Sequence, residues 1–140
     1  MPTINTKIWM ALRSGVQGLP ISPMPEIAWP GSTFEPVAGS PFLAIGEVYT
    51  APRRAVINRA VMDRSGSITV TAVWPIGQDP AVYREISGKI ADHFTGRCLA
   101  FQGVKLTLQS EGGQVAYAAA GYRDGGWWRT PVICPWRTWA

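Results

Sequence analysis

The stretch that most constrains this chain runs from Ser67 to Gly96, where a strand pattern is followed by an amphipathic helix pattern. Ser67–Trp74 alternates with a period of two and is rich in β-branched residues, which predicts a strand with one buried face. The helix begins after Asp79, whose carboxylate can accept from the free N–H groups of the first turn, and it ends at Gly96. Its apolar residues recur at helical spacing and predict a buried stripe of Val82, Ile86, Ile90 and Phe94. We therefore expect one helix across one face of a sheet that the rest of the chain completes.

The other elements are predicted from caps, prolines and alternation. Thr3 can cap a short N-terminal helix that ends around Gly15–Gly18. Strands are predicted at Glu26–Trp29, Phe42–Tyr49, Ala55–Met62, Val104–Gln109 and Trp127–Cys134. Asp63–Gly66 predicts the turn of a hairpin that leads into Ser67. Pro131 removes a donor from the last strand, so we expect that strand at an edge of the sheet.

Composition limits the classes of protein that this chain can belong to. A length of 140 residues suits one domain, and a net charge of +4 permits contact with nucleic acid without demanding it. No apolar run approaches the roughly 20 residues of a membrane span, and the N-terminus lacks a signal-peptide pattern. We expect no membrane contact and a chain that stays in the cytoplasm where it is made. Cys98 and Cys134 are expected to be buried free thiols, and His93 a structural residue in the last helical turn.

Motifs that carry catalysis are missing from the sequence. It contains no phosphate loop, no Gly-x-Ser-x-Gly elbow, no Cys-x-x-Cys and no histidine pair. We therefore predict no catalytic, cofactor-binding or metal-binding residues, and we do not expect an enzyme.

Four arginines mark the predicted hairpin as basic. Arg53 and Arg54 precede it, Arg59 lies in its body and Arg64 lies at its tip. One interpretation is an ordinary solvated hairpin. The other is a basic surface that faces a partner or a DNA backbone, and a small basic DNA-binding module is the corresponding alternative function.

Tryptophan is unusually frequent near the C-terminus, where four of the seven indoles lie in Trp127–Trp139. Pro135 is expected to steer the chain away from the sheet, so that 135–140 forms a C-terminal arm. Tryptophan and arginine dominate protein–protein hot spots, which makes Trp136, Arg137 and Trp139 the candidate subunit interface. Two alternatives remain: both indoles fold back onto their own subunit, or they stack on single-stranded bases.

Three ordered pieces of the sequence carry a family resemblance. The first is Ile27-Ala28-Trp29-Pro30 followed by Phe34-Glu35-Pro36 and Pro41-Phe42-Leu43. The second is Val73-Trp74-Pro75-Ile76-Gly77, and the third is Gly126 to Val132 leading into Cys134-Pro135-Trp136. Together they resemble the tail terminator, or tail-completion, proteins of long-tailed bacteriophages, from Ile4 to about Arg137. The sequence departs from that pattern at Gly112–Ala120 and in its Trp-rich tail.

The resemblance implies a fold and a role. The fold would be a single α+β domain over residues 1–140, with two helices packed on a mainly antiparallel sheet. Subunits would form a homo-oligomer, a hexameric ring that caps the tail tube protein, ends tube growth and offers a joining surface to a neck or connector protein. Genomic DNA would pass through the lumen non-specifically. The protein would lie at the neck-proximal end of the tail in the virion, after assembly in the host cytoplasm, and the family offers no catalytic residues to carry over.

Overall fold

Two helices pack on one face of a mixed sheet in this chain, whose computed structural model describes residues 2–22, 24–54 and 61–140. The elements follow the order α1 Ile4–Gln17, β1 Glu26–Ala28, β2 Phe42–Tyr49, β3 Arg53–Arg54, β4 Met62–Pro75, α2 Pro80–Phe94, β5 Cys98–Phe101, β6 Val104–Thr107, β7 Tyr117–Ala118, β8 Tyr122–Asp124 and β9 Trp127–Trp139. The predicted α+β class is confirmed. Among the described strands only β1 and β2 pair in parallel, so the sheet is mainly antiparallel as predicted.

The two longest strands, β4 and β9, form the centre of the sheet. The main strand order is β1-β2-β4-β9-β6-β5, with β3 paired to β4 and the short β7 and β8 paired to β9. The β4–β9 ladder runs from Asp63 opposite Trp139 to Pro75 opposite Trp127. Side chains on opposite residues of a ladder share a face, so this register determines which residues of the two strands meet.

The prediction that the last strand lies at an edge is wrong, because β9 has β4 on one side and β6, β7 and β8 on the other. The carbonyl of Pro131 accepts from the N–H of Ala119 at 2.8 Å, on the β7 side. Along a strand, every second residue directs its backbone N–H and C=O to the same neighbouring strand. Pro131 and Pro135 are four residues apart, so the nitrogen that lacks a hydrogen faces away from β4 in both. The long central ladder therefore loses no hydrogen bond to either proline.

The predicted C-terminal arm is also wrong, because β9 continues through Pro135 to Trp139. Trp136 is only 2% exposed and lies in the hydrophobic core. It pairs with Gly66, where an added Cβ would come within 2.9 Å of the Trp136 Cζ2 atom. The Asp63–Gly66 stretch, predicted as a turn, is therefore strand, and its glycine makes room for a cross-strand indole. The strand predicted at Ala55–Met62 lies largely outside the described residues.

The core lies between the helices and the face of β9 that carries its even-numbered side chains. Thr130, Val132, Cys134, Trp136 and Thr138 are all buried, whereas the residues between them are half-buried. Helix α1 begins at its predicted cap, where the Thr3 hydroxyl accepts from the N–H of Thr6. It contributes Ile8, Leu12 and Val16 to the core.

Helix α2 is confirmed with its Asp79 cap, and of its predicted stripe Ile86, Ile90 and Phe94 contact the core whereas Val82 does not. Ile90 and Phe94 are fully buried, while Val82 is 38% exposed and Tyr83 takes its place. Gly96 has a φ of +70°, the left-handed conformation predicted at the end of this helix. His93 has the predicted structural role: its Nε2 lies 2.9 Å from the carbonyl oxygen of Gly15 and joins the two helices. Burial lowers the pKa of His93.

The two cysteines are free, and they differ in exposure. Cys134 is buried as predicted, and burial raises the pKa of its thiol to about 12. Cys98, also predicted to be buried, is exposed in β5, a strand that the sequence analysis did not predict. Among the described residues, neither helix is long and apolar enough to cross a membrane.

Candidate assembly surfaces

One buried carboxylate, Asp63, joins the two sets of residues that the sequence analysis had kept apart. Its Oδ1 accepts from Arg137 Nε and its Oδ2 from Arg137 Nη2, both at 3.0 Å. Arg53 Nη2 donates to the same Oδ2 at 3.0 Å and to Glu111 Oε2 at 2.9 Å. The strand register explains these contacts. Asp63 is opposite Arg53 in the β3–β4 ladder and opposite Trp139 in the β4–β9 ladder. Arg137 lies two residues before Trp139 in β9, so its side chain is on the same face as Asp63.

The charges in this Asp63 cluster stabilise one another. The pKa of Asp63 is lowered, mainly by its hydrogen bonds from Arg137. Desolvation raises this pKa, and the hydrogen bond from Arg53 lowers it further. The pKa values of Arg137 and Arg53 are raised in return, mainly by their hydrogen bonds to Asp63. Two arginines that were predicted to face a partner therefore have much of their charge compensated within the chain.

The predicted interface residues divide between the core and the surface. Trp136 is buried and meets Tyr49 edge-on, with ring centroids 5.8 Å apart, so it does not form part of an exposed interface. Trp139 is 55% exposed, and the Arg137 guanidinium lies over its ring, 4.7 Å from the centroid. Arg137 is itself fixed in place by Asp63, so the exposed indole is held on a rigid cation.

Of the four arginines in the predicted basic hairpin, Arg53 and Arg64 have described side-chain contacts within the chain. Arg53 belongs to the Asp63 cluster, and Arg54 lies beside it in β3. Arg64, predicted at the tip, lies within β4, where its Nε donates to the carbonyl of Ala140 at 3.2 Å. Arg59 lies outside the described residues. The part of the hairpin that the structure describes is therefore joined to the end of β9.

A second surface is an open groove between the start of α2 and the β7–β8 segment, with a volume of about 730 Å³. Its floor includes Tyr83 and Trp128, whose rings stack with centroids 5.7 Å apart. The Tyr83 hydroxyl donates to the carbonyl of Pro75 at 2.8 Å, which fixes the ring. Arg84 and Arg123 line its rim. We call this surface the α2–β8 groove.

Sequence reasoning missed Asp63, Glu111 and the whole groove. Asp63 was interpreted as a turn residue because Asp-Arg-Ser-Gly is typical of turns. A carboxylate flanked by several arginines in an apolar chain was a signal for an ion-pair cluster. The groove gave no such signal, because Arg84 and Arg123 are 39 residues apart in the sequence and no local pattern relates them.

Comparison with known proteins agrees with the architecture. A family model described as "Phage tail terminator protein" matches residues 7–136. One solved structure is similar with a TM-score of 0.69 and 15% sequence identity, and the match covers 96% of this chain and 92% of that one. At that identity the likeness shows the fold alone. A search of curated proteins found no significant match.

Proposed function

This chain belongs to the phage tail terminator family, a family of structural tail proteins of the virion, and from that premise we propose that it caps the tail tube as a ring. The ring ends growth of the tube and offers a surface that joins the tail to the neck. Its partners are further copies of itself, the tail tube protein and a neck or connector protein. The family match over residues 7–136 is the observation that carries this proposal.

The Asp63 cluster supports the proposal because it presents an aromatic anchor at the surface. Trp139 is 55% exposed, although leaving so much apolar area in water is unfavourable. Arg137 and Asp63 hold it in one orientation, which lowers the entropy that binding would otherwise cost. A rigid, exposed Trp–Arg pair is the kind of feature that protein–protein hot spots use. We assign Arg137 and Trp139 to an assembly interface and remove Trp136 from it.

The test measures assembly with and without purified tail tubes. Light scattering gives the mass of the free protein, and negative-stain imaging shows whether added protein forms a ring at tube ends. We expect six subunits in each ring and tubes that no longer elongate once capped. A species that stays monomeric with tubes present and never binds tube ends would contradict the proposal.

DNA passes through the lumen of the proposed ring without sequence-specific contacts. The alternative, a small basic DNA-binding module, has less support, because Arg53 and Arg137 both donate to Asp63 and Arg53 also donates to Glu111. Tight, salt-resistant binding of duplex DNA by the isolated subunit would favour that alternative.

A further inference from the structure

The α2–β8 groove has the charge of an anion-binding surface. Its lining contains the guanidinium groups of Arg84 and Arg123 and no carboxylate among the described residues. No ion pair of the described residues includes either arginine. The stacked rings of Tyr83 and Trp128 supply an apolar part of the same lining. The groove therefore suits a segment that carries a carboxylate next to an apolar side chain.

One wall of the groove is a strand edge. Strand β7 pairs with β9 on one side, and no other described strand pairs with its far side. The N–H of Ala119 donates to the carbonyl of Pro131, so the neighbouring peptide group of Ala118 faces away from β9. Ala118 also lines the groove. An extended segment could add to this edge through main-chain hydrogen bonds.

The chain itself contains one segment with the matching chemistry. Five of its nine carboxylates already accept hydrogen bonds within the chain, namely Glu47, Asp63, Asp79, Glu111 and Asp124. Glu85 and Asp92 lie in helix α2, and Glu26 lies in β1, where it is already paired with β2, so none of the three belongs to a free extended segment. Glu35 remains, in the exposed stretch Thr33–Val37, which has neither helix nor strand structure. Two residues later Val37 is 60% exposed and offers the apolar side chain.

The same copy cannot supply this segment to its own groove. Phe34 packs on Phe42, with ring centroids 4.9 Å apart, and Phe42 meets Trp127 at 5.4 Å. Trp127 lies on the face of the sheet opposite to Trp128, because adjacent residues of a strand point to opposite faces. Phe34 therefore holds the segment on one face while the groove opens on the other.

We propose that the α2–β8 groove receives the Thr33–Val37 segment of a second copy of this chain. Glu35 of that copy pairs with Arg84 and Arg123, and its Val37 covers the Tyr83–Trp128 floor. The contact joins two different surfaces, so repeating it produces a ring where the rotation closes. The inference rests on the proposed ring and names one of its subunit contacts.

The contact is tested first without tubes, by binding a fluorescein-labelled peptide of residues 31–40 to the full chain and following anisotropy. We expect saturable binding by about 1 mM peptide. The double variant Arg84→Gln/Arg123→Gln should weaken binding about tenfold, since it removes both cations. The matched control Arg97→Gln/Lys105→Gln makes the same charge change at exposed residues outside the groove and should leave affinity within about twofold. NMR shifts should appear at the Trp128 indole and the Ala118 amide.

A charge exchange then tests the pairing itself. A peptide with Glu35→Lys should bind the wild-type chain about tenfold more weakly and should recover on an Arg84→Glu chain. The inference would be overturned if the peptide did not bind at about 1 mM, or if the charge variants left its affinity unchanged. It would also be overturned if the NMR signals that shift belonged to residues outside the groove. Because this assay contains no tube, a chain that binds the peptide but never caps tubes would refute the proposed function alone. A chain that caps tubes but fails the peptide test would refute the groove contact alone.

Discussion

At the scale of single residues, Asp63 has the largest set of charged contacts described in this chain. It is 8% exposed and accepts from two arginines that belong to different strands. Its pKa is lowered chiefly by Arg137, so the folded state favours its ionised form. The stabilisation is fully present above the unfolded-state pKa of about 3.9 and is lost as the pH falls through the lower folded-state value.

Replacing Asp63 by Asn should lower the free energy of unfolding at pH 7 by about 1–2 kcal/mol, because the charge-assisted hydrogen bonds to the carboxylate are lost. The loss is no larger because solvent screens the largely exposed Arg53. The deficit should shrink as the pH falls below about 4, because the unfolded wild-type chain then binds a proton at Asp63 that the folded chain takes up only at lower pH. Urea denaturation at pH 7 and pH 3 measures both. The matched variant Glu111→Gln, at a side chain that is 65% exposed, should cost under about 0.5 kcal/mol. Equal losses in the two variants at pH 7 would show that Asp63 has no special role.

At the scale of elements, helix α2 buries the C-terminal part of its predicted stripe but not its first residue. Val82 and Ile90 both belong to the predicted stripe, yet Val82 is 38% exposed and Ile90 is fully buried. Ile90→Asp should bury an unpaired charge and cost several kcal/mol, about 3 or more, which is enough to unfold a marginal domain. Val82→Asp, the same chemical change two turns earlier, should cost under about 1 kcal/mol. Thermal melts followed by circular dichroism decide between these outcomes, and equal effects would mean that Val82 is buried as well as Ile90.

Strand β9 provides a second matched pair. Trp136→Ala should cost about 3–5 kcal/mol, because it removes a buried indole from between Gly66 and Tyr49. Trp139→Ala should cost under about 1 kcal/mol and should weaken ring assembly on tubes, because its indole is largely exposed. Denaturation and negative-stain counts of capped tube ends separate the two effects. Full assembly by Trp139→Ala would remove this residue from the interface.

Deleting residues 136–140 should unfold the domain, since it removes the end of a central strand. Circular dichroism measures this outcome. A folded truncated chain would show that the β4–β9 ladder tolerates the loss.

At the scale of the whole molecule, the net charge is +4, and Arg53, Arg129 and Arg137 already form ion pairs within the chain. Any DNA contact by Arg53, Arg54, Arg59 and Arg64 should therefore be weak and non-specific. Its affinity should fall steeply between about 50 and 200 mM salt, because backbone contacts release counterions. Filter binding with two unrelated duplexes at both salt concentrations measures this. Sequence-selective binding that survives high salt would support the DNA-binding alternative instead.

The sequence by itself determined the features that depend on neighbouring residues. The caps at Thr3 and Asp79, the left-handed Gly96 and the alternation of Ser67–Trp74 are local, and each lies where it was predicted. The α+β class and the family also follow from the sequence, because the order of elements and motifs persists along the chain.

Tertiary structure decided what depends on strand pairing. Pro131 suggested that the last strand lies at a sheet edge, and Pro135 suggested a C-terminal arm. The N–H that a proline lacks matters only for the strand that its nitrogen faces, and the register with β4 determines which strand that is. The same register buries Trp136, leaves Trp139 exposed and brings Arg53 and Arg137 to Asp63. Residues tens of positions apart meet in these contacts, so no local pattern could predict them.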